Sequence, residues 1–148
     1  MIRTFIRQLV APALLLSTGC SSHECLSIGC SSNATVYMES KAWTDGSYTV
    51  LLEFDQRSPA CTFIMNGGFV SFGQCNDPGV FLIADLVPSI GVSIRNTPKQ
   101  VSLTLSREGA EIARTSGIMR YEDVTPEGSC ARGCMHGEMR VSIPGGTP

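Results

Sequence analysis

The residues best suited to chemistry in this chain are its seven cysteines and two histidines. Three of the cysteines fall within "LSTGCSSHECLSIGC", which covers 16–30 and also holds His23. Further along, "CARGCMH" places Cys130, Cys134 and His136 close together. Zinc sites usually combine a C-x2–4-C pair with a matching second pair or with His-x3–5-His. A C-x4-C and a C-x3-C with only two histidines fit that pattern poorly, so we predict no metal and no cofactor, and we favour cross-linking.

The N-terminal residues have the layout of a secretory signal peptide. Arg3 and Arg7 precede a short apolar run, and small residues follow it through Gly19. The run is too short to span a membrane, which requires about 20 apolar residues. "LSTGC" also resembles the bacterial lipobox, in which the cysteine is joined to diacylglycerol and becomes the first mature residue. The resemblance implies cleavage after Gly19 and a lipid on Cys20, with Ser17 where leucine is commonest; secretion without a lipid is the alternative.

The number of cysteines supports lipidation on separate grounds. An odd cysteine in an exported protein calls for a free thiol or an external partner. With Cys20 lipidated an even number remains, and disulfides form and persist in the oxidising compartments to which export leads. The sequence therefore predicts three disulfides, built from Cys25, Cys30, Cys61, Cys75, Cys130 and Cys134.

Turn signals and strand order suggest how these cysteines pair. A turn at 66–68 would fold the strand from Cys61 back on itself, and a bulge at 73–74 would then bring Cys75 within reach of Cys61. In immunoglobulin-like sandwiches the first strand often runs parallel to the last, so the segments before them lie at one end. We therefore expect the N-terminal pair to join the C-terminal pair and not to close locally, in an order that stays open: Cys25 and Cys30 with Cys130 and Cys134.

The sequence offers little for catalysis. A nucleophilic enzyme needs a Ser or Cys beside a His base and an orienting acid. His23 lies in the Cys- and Ser-rich N-terminal stretch, and His136 lies beside a predicted disulfide. The sequence has no G-x-S-x-G elbow and no H-E-x-x-H motif. We therefore predict no catalytic residues and no enzymatic activity.

The alternative is an envelope enzyme or metal-binding protein that uses His136 with nearby carboxylates or cysteines. That function would require His136 in a concave site, within hydrogen-bond reach of an Asp or Glu. On a convex surface the same histidine would argue against it.

Charge narrows the range of partners. The chain has 11 Lys and Arg against 13 Asp and Glu, and removal of a leader would take Arg3 and Arg7 from the basic side. Without a Lys/Arg cluster the protein has no electrostatic footprint for nucleic acid or for anionic membrane surfaces. The expected partners are the membrane, through the N-terminal lipid, and a protein or ligand that the sequence does not identify.

Beyond residue 32 the chain alternates short apolar stretches with turn residues, which predicts many short strands. Val101, Leu103 and Leu105 follow the two-residue period of a strand, and "REG" then turns the chain at Gly109. We predict an all-β fold of about eight strands, an immunoglobulin-like two-sheet sandwich stapled by disulfides, with a small β-barrel as the alternative. The candidate strands are 35–39, 48–54, 61–65, 69–72, 80–86, 91–95, 101–105, 110–117, 118–121 and 138–143.

These elements give three expected parts of the chain. Residues 1–19 are the lipoprotein signal peptide, and residues 20–32 are the lipidated cysteine with a Cys- and Ser-rich tether. Residues 33–148 form a single β-sandwich domain, whose size is ordinary for one hydrophobic core.

Several short motifs recur in a known group of proteins. They are "ECLSIGCSS" near the start, the internal pair Cys61 and Cys75, Tyr121, "PEGSCARGC" and the final "EMRVSI". On these motifs the chain resembles small cysteine-rich bacterial lipoproteins of unknown function, although "TPEG" stands where an Asn-Gly turn is more typical. The resemblance implies a place in the bacterial cell envelope, and by analogy with bacterial lipoproteins Ser21 favours the outer membrane. It implies a non-catalytic binding or structural module with no particular activity.

Overall fold

The computed structural model of the protein describes residues 30–84, 88–127 and 133–144. Within these residues the chain forms ten β-strands and no helix, which confirms the predicted all-β class. The strands are β1 Asn33–Glu39, β2 Gly46–Glu53, β3 Ala60–Asn66, β4 Phe69–Cys75, β5 Val80–Ile83, β6 Ser89–Ile94, β7 Gln100–Arg107, β8 Ala110–Ile118, β9 Arg120–Asp123 and β10 Met135–Ser142.

The strands form two five-stranded sheets. The first sheet has the order β5-β6-β1-β10-β9, and the second has the order β4-β3-β2-β7-β8. β1 and β10 are parallel, as the sequence predicts for the first and last strands, and the other neighbouring pairs are antiparallel. The two sheets pack against each other as a sandwich, so the barrel alternative is wrong.

The core lies between the sheets, and burial alternates most clearly along β2, β3 and β7. In β1 the side chains of Ala34, Val36 and Met38 are fully buried on the inner face, and Thr35 on the other face is buried as well. Burial of a Val, Leu, Ile, Phe or Met side chain stabilises by about 1.5–3 kcal/mol, so the two-residue pattern fixes the register of the strands that show it. The other strands contribute Tyr48, Val50, Leu52, Phe63, Ile90, Val92, Ile94, Val101, Leu103 and Leu105.

Two tight turns connect the hairpins of the second sheet. Gly67 and Gly68 between β3 and β4 have φ values of 59° and 81°, and Glu108 and Gly109 between β7 and β8 have 49° and 82°. Positive φ at both central residues matches the two-residue turn whose twist suits antiparallel strands. The Glu108 carboxylate accepts a 2.6 Å hydrogen bond from the Ser47 amide, which supports an uncommon conformation for a residue with a side chain.

Strand bounds differ from the predicted ones at a few places. β5 ends at Ile83, whereas the apolar pattern predicts a strand over 80–86; residues 85–87 lie outside the described part of the chain. Ile118 belongs to β8, where it pairs with Gln100, and not to the next strand. The mismatch arises because the apolar run over 118–121 crosses from one sheet to the other.

The parallel pair defines two ends of the sandwich. β1 and β10 both begin beside Cys30 and Cys134, which we call the disulfide end. Both strands finish near Ser40 and Ile143, at what we call the cavity end. The seven residues of β1 separate the two ends by roughly 20 Å at about 3.3 Å per residue.

Candidate functional site

At the disulfide end, Cys30 is bonded to Cys134. Their Cα atoms are 5.8 Å apart, and 104 positions of sequence separate them. The bond joins the segment before β1 to the segment before β10, as the parallel arrangement of first and last strands predicts. Cys25 and Cys130, which are expected to form a second such bond, lie outside the described residues, as does Cys20.

Hydrogen bonds reinforce this covalent link. The Ser32 hydroxyl donates to the Gly133 carbonyl at 3.1 Å and accepts from the Met135 amide at 3.0 Å. The Cys134 amide donates to the Thr125 hydroxyl at 3.0 Å. Residues 30–32 belong to the expected tether, yet in the structure they are bound to the body of the domain.

Tyr121 completes the closure of the disulfide end. Its ring packs on Gly137, the residue opposite it on β10, where an added Cβ would lie 2.5 Å from a ring carbon. Its hydroxyl donates to the Pro98 carbonyl at 2.7 Å. Burial, with the charge of Asp55 as a smaller cause, raises the pKa of Tyr121 to about 12. The phenol therefore stays neutral and keeps donating its proton over the ordinary pH range.

The second disulfide joins Cys61 and Cys75, which confirms the predicted pair. The two residues are directly opposite on β3 and β4, and both face the core. The predicted bulge at 73–74 is wrong: the extra residue is Ser71, because Ile64 pairs with Phe72 while Met65 pairs with Val70. The Ser71 hydroxyl donates to the Ile64 carbonyl at 3.2 Å. A bulge nearer the turn gives the same one-residue shift, so the cysteines still meet.

His136 lies on the outer face of the first sheet, in the row next to the disulfide. Its Nδ1 is 2.6 Å from Asn33 Oδ1, and its Nε2 is 3.3 Å from Glu138 Oε1. Together with Arg120 and Glu122, His136 and Glu138 line a surface cavity of about 310 Å³. His136 thus lies in a concave site within hydrogen-bond reach of a carboxylate, as an enzyme site would require. Within the described residues, however, no Ser, Thr or Cys side chain is hydrogen-bonded to its ring.

An ion-pair network continues from Glu138 along the same face. Arg140 donates to Glu39 Oε1 at 2.6 Å and to Glu138 Oε2 at 3.4 Å, and its guanidinium lies 5.0 Å from the centre of the Tyr37 ring. The bond to Glu39, followed by the nearby charge of Glu138, raises the pKa of Arg140. The Tyr37 ring in turn covers Gly91 on β6. These contacts lie at the centre of the face and pair its charged side chains with one another.

A cavity of about 600 Å³, larger than the one beside His136, lies at the other end. It begins where the outer face of the first sheet stops, because Ser89, Glu39 and Ser142 are register neighbours on β6, β1 and β10. The residues that follow β1 and β10 and the residue that precedes β6 close it on further sides. Its remaining lining residues are Ser40, Lys41, Pro88, Ile143 and Pro144.

The aromatic part of the core supports this cavity from below. Trp43 Nε1 donates to the Pro88 carbonyl at 3.0 Å, and the Ser40 amide donates to the same oxygen at 3.1 Å. Trp43 contacts Tyr48 and Phe63 edge-on, at ring-centre distances of 5.4 and 6.0 Å. The wall of the cavity is thus held by a rigid aromatic cluster and two hydrogen bonds.

Sequence reasoning does not find the cavity residues. They come from three segments, 39–41, 88–89 and 142–144, whose meeting depends on the order of β6, β1 and β10 in the first sheet. None of the three segments carries a motif. Lys41, one of only two lysines in the chain, is the one unusual signal, and it acquires meaning only after the strands are paired.

Three further searches gave negative results. In the described ranges no three His, Cys, Asp or Glu side chains are grouped so that they could hold a metal ion. The same ranges contain no helix of the length and apolar character needed to cross a membrane. A scan against protein-family models and a search of curated proteins found no match to the chain.

Disulfides in so small a β domain are typical of an oxidising compartment outside the cytoplasm.

Proposed function

We propose that this protein is a lipid-anchored, non-catalytic binding or structural module of the bacterial cell envelope, held at the outer membrane through Cys20. The observation that carries this proposal is the bond between Cys30 and Cys134. It fixes the domain ten residues after the cysteine of the lipobox-like sequence. The domain would therefore sit close to the membrane surface with its disulfide end toward the lipid.

The position of the cavity supports a binding role over a purely structural one. An anchor at the disulfide end leaves the cavity end roughly 20 Å further from the membrane, by the length of β1. A cavity of about 600 Å³ is within the range of small-molecule sites. The domain would thus hold this cavity away from the lipid, where a partner or ligand in the aqueous phase can reach it.

Membrane fractionation of cells that express Cys20→Ala tests the anchor. The parent protein is expected in the outer-membrane fraction, and its N-terminal peptide is expected to carry the mass of several acyl chains, since one chain alone binds only marginally. Cys20→Ala should appear in the soluble fraction. Cys25→Ala, a cysteine change in the same segment, is the matched control and should stay in the membrane. A Cys20→Ala protein as membrane-bound as the parent would show the anchor proposal to be wrong.

The surroundings of His136 favour a second candidate, an envelope enzyme. The imidazole lies beside a carboxylate in a polar cavity, the arrangement that an acid–base catalyst needs. Chromogenic ester, phosphate and glycoside substrates test this candidate. Turnover by the parent that disappears in His136→Gln, with the folded state intact by circular dichroism, would support an enzyme. Turnover that is unchanged in His136→Gln would remove this site from the reaction.

A further inference from the structure

The uncommitted polar groups in the large cavity at the cavity end are hydrogen-bond donors or hydroxyls that can donate. Lys41 is exposed and makes no ion pair within the described chain. Ser142, also exposed, lines the same cavity. An ammonium and a hydroxyl can both donate hydrogen bonds, so the two residues can meet an acceptor that a ligand supplies.

Among the described residues that line the cavity, the one carboxylate is already paired. Glu39 accepts a 2.6 Å hydrogen bond from Arg140 Nη1 on the neighbouring strand, and the same guanidinium lies farther from Glu138, at 3.4 Å. Within the described lining, Lys41 is the charged group without a partner, and its ammonium favours an anion.

The rest of the lining is apolar and cannot donate hydrogen bonds. Pro88 and Pro144 have no amide proton, and the amide of Ile143 already donates to the Glu39 carbonyl at 2.7 Å. The carbonyl of Pro88 is occupied by Trp43 and Ser40. These surfaces offer van der Waals contact to a hydrocarbon group beside the donors.

We propose that the cavity binds a small organic acid whose carboxylate meets Lys41 and Ser142 and whose hydrocarbon part packs on the prolines and Ile143. A free aliphatic acid and the C-terminal residue of a peptide share this chemistry. The inference deepens the proposed binding role, and it does not depend on the lipid anchor.

Trp43 supplies the measurement, because it is the only tryptophan and its indole is bonded to the cavity wall at Pro88. Octanoate is titrated into the full chain carrying Cys20→Ala, which needs no detergent if the anchor proposal holds, while Trp43 emission and the heat of binding are followed. Saturable binding of octanoate is expected, with octanol, which lacks the charge, at least about tenfold weaker. N-acetyl-leucine, which copies a peptide C-terminus, tests the second source of the same group.

Two lysine variants decide whether the site is the proposed one. Lys41→Glu should weaken octanoate binding at least about tenfold, whereas Lys99→Glu makes the same charge change at an exposed position on the other side of the domain and should leave binding unchanged. Ser142→Ala should weaken binding by a smaller factor. Absence of saturable binding by either acid, or equal binding by the Lys41→Glu and Lys99→Glu proteins, would overturn the inference. Those results would leave the fractionation test of the anchor unaffected.

Discussion

The two ends of the sandwich are built in opposite ways. At the disulfide end, the Cys30–Cys134 bond, the hydroxyl of Ser32 and the ring of Tyr121 all join segments that are far apart in sequence. At the cavity end, two hydrogen bonds to the Pro88 carbonyl hold the wall, and several polar groups of the lining are not engaged within the described residues. Because covalent and hydrogen bonds hold the disulfide end, the cavity end can carry polar side chains that make no contact within the described residues.

The largest expected effect is the loss of the Cys30–Cys134 bond. In the chain-entropy model a closed loop of about 100 residues stabilises by roughly 4–5 kcal/mol, and one of about 15 residues by roughly 3 kcal/mol. Their sequence separations are 104 residues for Cys30–Cys134 and 14 residues for Cys61–Cys75, so the first bond is expected to stabilise the fold more. Both pairs of substitutions are made in a chain that also carries Cys25→Ala and Cys130→Ala, because a bond between these two residues would close nearly the same loop. In that background we expect Cys30→Ala with Cys134→Ala to lower the free energy of unfolding in urea by more than Cys61→Ala with Cys75→Ala does.

A larger loss of stability for the Cys61 and Cys75 variant would contradict the idea that the disulfide end is the more strongly held. It would mean that the core position of Cys61 and Cys75, which are packed between the sheets, matters more than loop length. The m-values give a second readout: removal of the long cross-link should raise the m-value more than removal of the short one, because it lets the unfolded chain expand and expose more surface.

A smaller effect is expected from Gly137→Ala. The new methyl would overlap the Tyr121 ring, whose hydroxyl is held by Pro98, so the ring or the strand must move. Overpacking of this kind costs about 1–3 kcal/mol. Gly117→Ala is the matched variant on β8, where the added methyl meets the thioether of Met139, a flexible side chain that can move aside. Urea unfolding should show a clear loss for Gly137→Ala and a loss below about 1 kcal/mol for Gly117→Ala.

Similar losses in these two variants would indicate that Tyr121 is free to move. In that case the hydrogen bond to Pro98 would not hold the ring, and the closure of the disulfide end would rest on the covalent link and on Ser32 alone.

Local signals were sufficient for most of the fold. The two-residue period of Val101, Leu103 and Leu105, and the glycine turns beyond β3 and β7, place strands whose inward residues are buried as expected. The pairing of Cys61 with Cys75 follows from the same turn, since the chain between them is a single hairpin. These features depend on neighbours in sequence, which is why a pattern of residue types contains them.

Features that depend on three or more segments cannot be predicted from local sequence patterns. The bulge falls at Ser71 and not at 73–74, so glycine content alone does not locate it. The contacts of His136 require Asn33 from a strand about 100 residues away, and the cavity requires the order of three strands. For His136 and the cavity the missing information is which strands are adjacent: the sequence predicts the hairpins and the parallel direction of the first and last strands, but not the order β6-β1-β10.

The smallest effect concerns the proton of Tyr121. Its pKa is about 12 in the folded protein, against about 10 for an unfolded chain, so the folded state holds this proton more tightly. The resulting contribution to stability is complete below pH 10 and is lost as the pH rises through about 12. The phenolate absorbance of the parent minus that of Tyr121→Phe should therefore titrate near pH 12. Asp55→Asn should lower that midpoint slightly, because burial is the larger cause and the charge of Asp55 the smaller. A difference titration centred near pH 10 would show that water reaches the phenol and that the disulfide end is as open as the cavity end.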